Sequence, residues 1–214
     1  MIKLIIFDYD GVIVDSFICM YNVYKIICEK LGKEFPDTFE KFKVAYGYSS
    51  RELAKNLGFS DEELIESDKI FGEETLKQTP EIFNGITEAI KGLSENYLMV
   101  VVSSARALEV NQKLDRFNLR DYFDEVFGSD SGAPMKKRPV LKEIFKKYNV
   151  EPSEVLMIAD RDIDFDAGTD VGFPSENLIL VEYGWGYDHE KIPKMKVIVD
   201  KPEDLIKAVD AVTS

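Results

Sequence analysis

Residues 2–11 read Ile2-Lys3-Leu4-Ile5-Ile6-Phe7-Asp8-Tyr9-Asp10-Gly11, a short apolar run that stops on two carboxylates and a glycine. The run does not alternate polar with apolar residues, as a strand covered on both faces would not. Runs of the same kind recur at residues 98–102, 125–127, 155–158, 178–181 and 197–199. Between most of them, residues 85–96, 106–117, 138–148 and 203–212 place apolar side chains three and four apart, the spacing of an amphipathic helix. Strand and helix therefore alternate. The expected core is α/β, a doubly wound and mainly parallel sheet.

One connection is too long for that plan. About ninety residues separate Phe7 from Leu98, where a parallel crossover needs a dozen or more. Residues 85–96 already supply the crossover helix, so the excess is expected to be a separate unit. This gives a core of residues 1–15 and 81–214 and an insertion of residues 16–80, in which every pattern is helical. Ser16 can cap a helix ending at Leu31 before Gly32, and Thr38 can cap a second through residues 39–42. Residues 51–57 form a third, and Ser60-Asp61-Glu62-Glu63 is a capping box that opens a fourth. Ligands of open α/β sheets bind at the carboxyl ends of the strands. An insertion leaving the end of the first strand reads either as a lid over that edge or as a purely structural lobe.

Composition removes several classes. The 214 residues carry 27 Lys plus Arg against 40 Asp plus Glu, a formal net charge of −13. That surplus argues against binding nucleic acid, which rests on Lys and Arg contacts to phosphates. It leaves room for a small anionic substrate held through a cation. Residues 98–102 form the longest aliphatic run, far short of the ~20 residues that span a bilayer. The apolar stretch before Asp8 is too short for a signal peptide, so a cytoplasmic protein is expected, with no membrane partner. Cys19 and Cys28 fall on one helical pattern about 13 Å apart along its axis, too far for a disulfide. They read as small buried apolar residues.

The chemistry gathers at strand ends. Asp8 and Asp10, two positions apart at the end of the first strand, point the same way and need a compensating cation; alone they could equally be an acidic turn. Residues 155–158 run into Ala159-Asp160-Arg161-Asp162-Ile163-Asp164-Phe165-Asp166. If the two strands are neighbours, these carboxylates repel the first pair. A hard divalent ion resolves the repulsion, and Mg²⁺ favours a few carboxylate oxygens together with waters and a phosphate. Asp162 and Asp166 are expected to face solvent or cap the next helix. Ser103 and Ser104 follow residues 98–102 at an expected helix start, which suits an anion or simple helix capping. Lys136, Lys137 and Arg138 stand ahead of a helix, where positive charge opposes the macrodipole and calls for another partner. Solvated surface charge is the alternative there.

Taken together, these residues resemble the haloacid dehalogenase-like hydrolase superfamily. Residues 7–16, with Asp8-Tyr9-Asp10-Gly11-Val12, resemble its first motif, DxDG[TV], and Ser103 resembles the Ser or Thr of its second. Lys137 is similar to the third-motif lysine, by its spacing to Leu141, Ile144, Phe145, Tyr148 and Pro152. Asp160 and Asp164 resemble the fourth, GDxxxD, with Ala159 in place of the usual glycine. Residues 182–187 (EYGWGY) and 197–205 resemble the carboxyl-terminal signature of the phosphoglycolate phosphatase and β-phosphoglucomutase branch, which carries a helical cap.

The resemblance implies a Rossmann-like core and a phosphatase for a small phosphorylated metabolite. Asp8 would be the nucleophile that forms an aspartyl phosphate, and Asp10 the acid and base. Mg²⁺ would be held by Asp8, Asp160 and the backbone carbonyl of Asp10, with Asp164 orienting the set. Ser103, Ser104 and Lys137 would bind phosphate oxygens. A phosphosugar mutase would use the same aspartate pair, and receiver-type phosphate switches share the acidic cluster, Ser/Thr and Lys without the helical insertion. Arg51, Arg106 and Arg161 read either as substrate contacts or as surface charge, while His189 and Trp185 read as surface and packing residues. Either a monomer or a homodimer is compatible with these features.

Overall fold

The computed structural model describes residues 1–46, 50–129, 135–186 and 197–213, with backbone only at Ser50 and Arg51. The chain divides into two compact units, Met1–Asp15 with Glu81–Ser214 and, between them, Ser16–Pro80. In the first unit the strands are β1 (Leu4–Phe7), β2 (Val14–Asp15), β3 (Glu81–Ile82), β4 (Leu98–Arg106), β5 (Glu125–Ser129), β6 (Val155–Ala159), β7 (Leu178–Val181) and β8 (Val197–Val199). Among the described residues, six of them form one sheet in the order β5-β4-β1-β6-β7-β8. All of its pairings are parallel.

In the second unit the helices are α1 (Phe17–Leu31), α2 (Phe39–Tyr46), α3 (Ser50–Asn56) and α4 (Asp61–Thr75). In the first unit they are α5 (Ile86–Ser94), α6 (Ala107–Arg116), α7 (Lys137–Tyr148), α8 (Asp162–Asp170) and α9 (Leu205–Thr213).

The two faces of the sheet explain the unbroken apolar runs. Along β1, Ile5 and Phe7 enter one core layer with Ile86, Ile90, Val110, Leu114, Leu205 and Val209 of α5, α6 and α9. Leu4 and Ile6 enter the other with Leu141 and Ile144 of α7 and Phe165 of α8. Neighbouring side chains of a strand point to opposite faces. A strand covered on both sides must therefore be apolar at every position, as β1 is. Ala159 is fully buried in the second layer, so its methyl packs where a glycine would leave less contact.

The helical unit follows its capping signals unevenly. At Ser60 both capping-box bonds form: Glu63 donates its amide to Ser60 Oγ at 3.3 Å, and Ser60 its amide to Glu63 Oε2 at 2.7 Å. Thr38 Oγ1 accepts the Lys41 amide at 3.2 Å ahead of α2. Gly32 ends α1 with φ +65°. Ser16 precedes α1 but makes no side-chain capping bond. Phe42 is fully buried, ringed by Phe17, Tyr21, Phe35 and Tyr46 with centroids 5.2–5.9 Å away. Cys19 and Cys28 are buried in α1 with no disulfide between them, and burial pushes the Cys28 thiol up to about 11.

Two features differ from the sequence expectation. β4 runs on through Ser103 and Ser104 to Arg106, with a register irregularity between Val102 and Arg106, so α6 begins only at Ala107. Residues 103–106, polar except for Ala105, look like a loop in sequence, yet the strand continues past the irregularity and pairs again with β5 where Arg106 stands opposite Ser129. A two-stranded antiparallel ladder, β2 with β3, was not foreseen; at two residues each, these strands are too short to show a period. No helix among the described residues is long and apolar enough to cross a membrane.

Candidate active site

Register brings three strand ends to one edge of the sheet. Phe7 is the partner of both Val101 and Ile158, so Asp8, Ser103 and Asp160 follow aligned positions at the carboxyl edge. The Asp8 amide extends the ladder by donating to the Ile158 carbonyl at 2.9 Å. The chain then turns sharply. The Val14 amide reaches the Tyr9 carbonyl at 3.1 Å and the Gly11 amide the Val14 carbonyl at 2.9 Å, with Gly11 at φ +79°. Side chains are rarely tolerated at that φ, so glycine suits the position.

Asp8, Asp160 and Asp164 each offer a carboxylate oxygen within 4.8 Å of the others. Asp160 and Asp164 are 0% and 1% exposed, and Asp8 is 8% exposed. Lys137, the first residue of α7, lies 2.7 Å from Asp8 Oδ2 and 2.5 Å from Asp164 Oδ1. Asp8 Oδ1 accepts the Tyr9 amide at 2.8 Å, and Asp160 Oδ2 accepts the Gly186 amide at 2.8 Å.

The charges do not balance. Burial, then the neighbouring Asp8 and Asp164, push the Asp160 carboxyl up to about 8, with Arg161 and the Gly186 amide opposing. Burial likewise raises Asp164 despite Lys137 beside it. Burial alone would lower the Lys137 ammonium, but Asp164 and Asp8 outweigh it and hold it above the ordinary lysine range. Asp160 Oδ1 and Asp164 Oδ2 are buried without a hydrogen-bond partner. Orphaned buried oxygens are costly unless something charged meets them. With all three carboxylates ionised, Lys137 beside them leaves a negative excess that a divalent cation would meet. The all-oxygen donor set suits Mg²⁺.

Comparison with known proteins gives this arrangement a lineage. Residues 5–176 match the haloacid dehalogenase-like hydrolase family. The chain belongs to that family. Over 222 aligned positions it is 30% identical to phosphoglycolate phosphatase of Aquifex aeolicus, covering 97% of each chain. It is 24% identical to a phosphorylated carbohydrates phosphatase of Thermotoga maritima, covering 97% of this chain and 98% of that one. A haloacid dehalogenase-like family hydrolase from Streptococcus pneumoniae shares the fold with a TM-score of 0.86 at 20% identity, over 97% of this chain and 98% of that one.

In this haloacid dehalogenase-like hydrolase the remaining sequence candidates scatter. Ser103 is fully buried, and its Oγ accepts the Ala105 amide at 3.0 Å, which leaves the hydroxyl proton to donate elsewhere. The helix-start argument for Ser103 and Ser104 does not hold, because both sit in β4 ahead of the helix; Ser104 is exposed. Asp10 is half-buried in the turn, where its backbone bridges to Val14, and its carboxylate lies outside the close acidic group. Asp166 is exposed, and Asp162 Oδ1 accepts the Ile163 amide at 2.9 Å. Lys136 and Arg106 are exposed, while Arg161 and Trp185 are half-buried. Tyr187, His189 and the Arg51 side chain lie outside the described residues. Reasoning from sequence gave no individual role to Gly184 and Gly186, which entered only as part of the EYGWGY stretch of residues 182–187.

Proposed function

We propose that this enzyme is a Mg²⁺-dependent phosphatase for small phosphomonoesters. The carrying observation is the buried group of Asp8, Asp160 and Asp164 with Lys137 on Asp8. Asp8 attacks phosphorus while the bond from phosphorus to the ester oxygen breaks, giving an aspartyl phosphate. Asp10 gives a proton to the departing oxygen, then takes one from the water that attacks phosphorus, and the Asp8–phosphorus bond breaks to release phosphate. Lys137, the Ser103 hydroxyl and the Ser104 amide hold phosphate oxygens as charge develops on them. Asp8, Asp160 and the Asp10 carbonyl would hold Mg²⁺, with Asp164 orienting the set. When bound, the cation screens the negative charge of nucleophile and phosphate alike.

The named activities of the two relatives direct the substrate choice to 2-phosphoglycolate and sugar phosphates. The test is a screen of such esters with Mg²⁺, scored by free phosphate. Release that stops in EDTA and returns with Mg²⁺, but poorly with Ca²⁺, is the expected result. Undiminished release in excess EDTA contradicts the metal assignment. Conversion of a sugar phosphate to its isomer without free phosphate points instead to a mutase.

A further inference from the structure

Three glycine backbones enclose the Asp160 carboxylate. An ideal Cβ on Gly11 would lie 2.0 Å from Asp160 Oδ2, one on Gly184 2.5 Å from Asp160 Cβ, and one on Gly186 2.8 Å from Oδ2. Side-chain carbons do not come that close to other heavy atoms, so any residue but glycine would displace the carboxylate or the backbone. Gly11 belongs to the turn after β1. Gly184 and Gly186 flank Trp185 in the segment after β7, and that segment is anchored. Tyr183 donates its hydroxyl to the Val12 carbonyl at 3.1 Å and packs edge-on against Phe83 with ring centroids 4.8 Å apart. The Gly184 position also lies against the Gly11 carbonyl, 2.5 Å from where a Cβ would stand.

The consequence falls unequally on the two carboxylate oxygens. Oδ2 accepts the Gly186 amide at 2.8 Å, while Oδ1 is buried with no hydrogen-bond partner. A carboxylate tied at one oxygen and fenced by backbone has little freedom to rotate. Its other oxygen is therefore fixed in direction before any ligand arrives.

We infer that the Gly184-Trp185-Gly186 turn is a positioning element that aims Asp160 Oδ1 at the divalent cation, an inference that rests on the metal reading above. Groups behind a metal ligand commonly set affinity by 10–100-fold. Mg²⁺ demands near-ideal octahedral geometry, whereas Ca²⁺ accepts looser arrangements. A misdirected Asp160 therefore penalises Mg²⁺ more than Ca²⁺. A purely structural role for the turn would not distinguish the two ions.

Calorimetric titration of metal-stripped full-length protein with Mg²⁺ and with Ca²⁺ tests this. Gly186→Ala is expected to weaken Mg²⁺ binding by about 10–100-fold and Ca²⁺ binding by less. Gly92→Ala in α5, whose Cβ would meet the Ile206 side-chain tip at 2.6 Å, crowds the core unit elsewhere and should leave both affinities unchanged. At Gly186 the nearest obstacle is Arg161 Cγ, 2.3 Å from the ideal Cβ. The double variant Gly186→Ala, Arg161→Ala removes that obstacle, with Arg161→Ala alone as its reference and thermal unfolding as the check that both are folded. The double variant should still lose Mg²⁺ affinity relative to that reference, because the methyl still presses on Asp160 Oδ2. Unchanged Mg²⁺ affinity in the double variant, or equal loss of Mg²⁺ and Ca²⁺, overturns the inference. Wild-type protein that binds neither ion overturns the metal reading itself.

Discussion

Lys137 Nζ lies 2.7 Å from Asp8 Oδ2, a contact made across 129 residues of chain. The lysine opens α7, where a cation opposes the helix macrodipole by roughly 0.3–1 kcal/mol. Ion pairs to two buried carboxylates, Asp8 and Asp164, outweigh that cost. The contact ties the end of β1 to the start of α7 and places a fixed positive charge beside the proposed nucleophile. Lys136, one residue earlier, is exposed.

Replacing the two lysines in turn separates their roles. Lys137→Ala is expected to lower kcat/KM for a phosphomonoester by roughly 10²–10³-fold, the cost of losing one donor to developing transition-state charge. Lys136→Ala should stay within about twofold of wild type, as surface changes do. Steady-state kinetics on both variants decide the matter, and equal effects would remove Lys137 from the site.

Stability of the metal-free protein should fall as pH rises. Burial and the neighbouring carboxylates push the folded Asp160 carboxyl up to about 8 from its ordinary 3.8. Between those values the folded protein keeps a proton that the unfolded chain has released. Linkage then makes this contribution complete below 3.8 and lost as pH rises through about 8. Mg²⁺ favours the ionised carboxylate, so its stabilisation grows over the same interval. Thermal unfolding in EDTA and in Mg²⁺ across this range should show the two profiles diverging toward high pH. An EDTA profile that rises with pH contradicts the burial of an ionisable Asp160.

How much of this was legible in sequence depended on the range of the interaction involved. β1, β6 and β7 were visible because strands covered on both faces must be apolar throughout. The Ser60 capping box was visible because it is a local exchange between residues three apart. Asp8 and Asp160 stood out because charge at a buried strand end needs a partner; that argument reached Lys136, Lys137 and Arg138 alike, and only the spacing shared with the family's third motif picked Lys137. The continuation of β4 through Ser103–Arg106 was not legible, since its mostly polar side chains look like a loop and its pairing with β5 resumes only at Arg106, past a register irregularity. Ser16 had the right residue type for a cap, yet its hydroxyl makes no capping bond. The enclosure of Asp160 by Gly184 and Gly186 joins the ends of two neighbouring strands, and no local pattern encodes it.

The capping box gives a test confined to the helical unit. Ser60→Ala removes the acceptor for the Glu63 amide and should cost about 1 kcal/mol of stability. Chemical denaturation is expected to show the midpoint shift while the kinetic constants of the folded enzyme hold. No shift would mean that the α4 cap contributes nothing to the measured unfolding.

The central claim is that phosphate passes through Asp8 with Asp10 moving the protons. Intact mass spectrometry of Asp10→Asn, incubated with Mg²⁺ and an aryl phosphate, tests it most directly. The aryl leaving group departs without needing a proton, whereas hydrolysis of the intermediate needs a base that asparagine cannot supply. The variant should accumulate one phosphoryl group, removable by hydroxylamine and mapped to the peptide containing Asp8, while an alkyl phosphate labels it far more slowly. An unlabelled variant that turns over aryl and alkyl phosphates as wild type does would contradict both assignments.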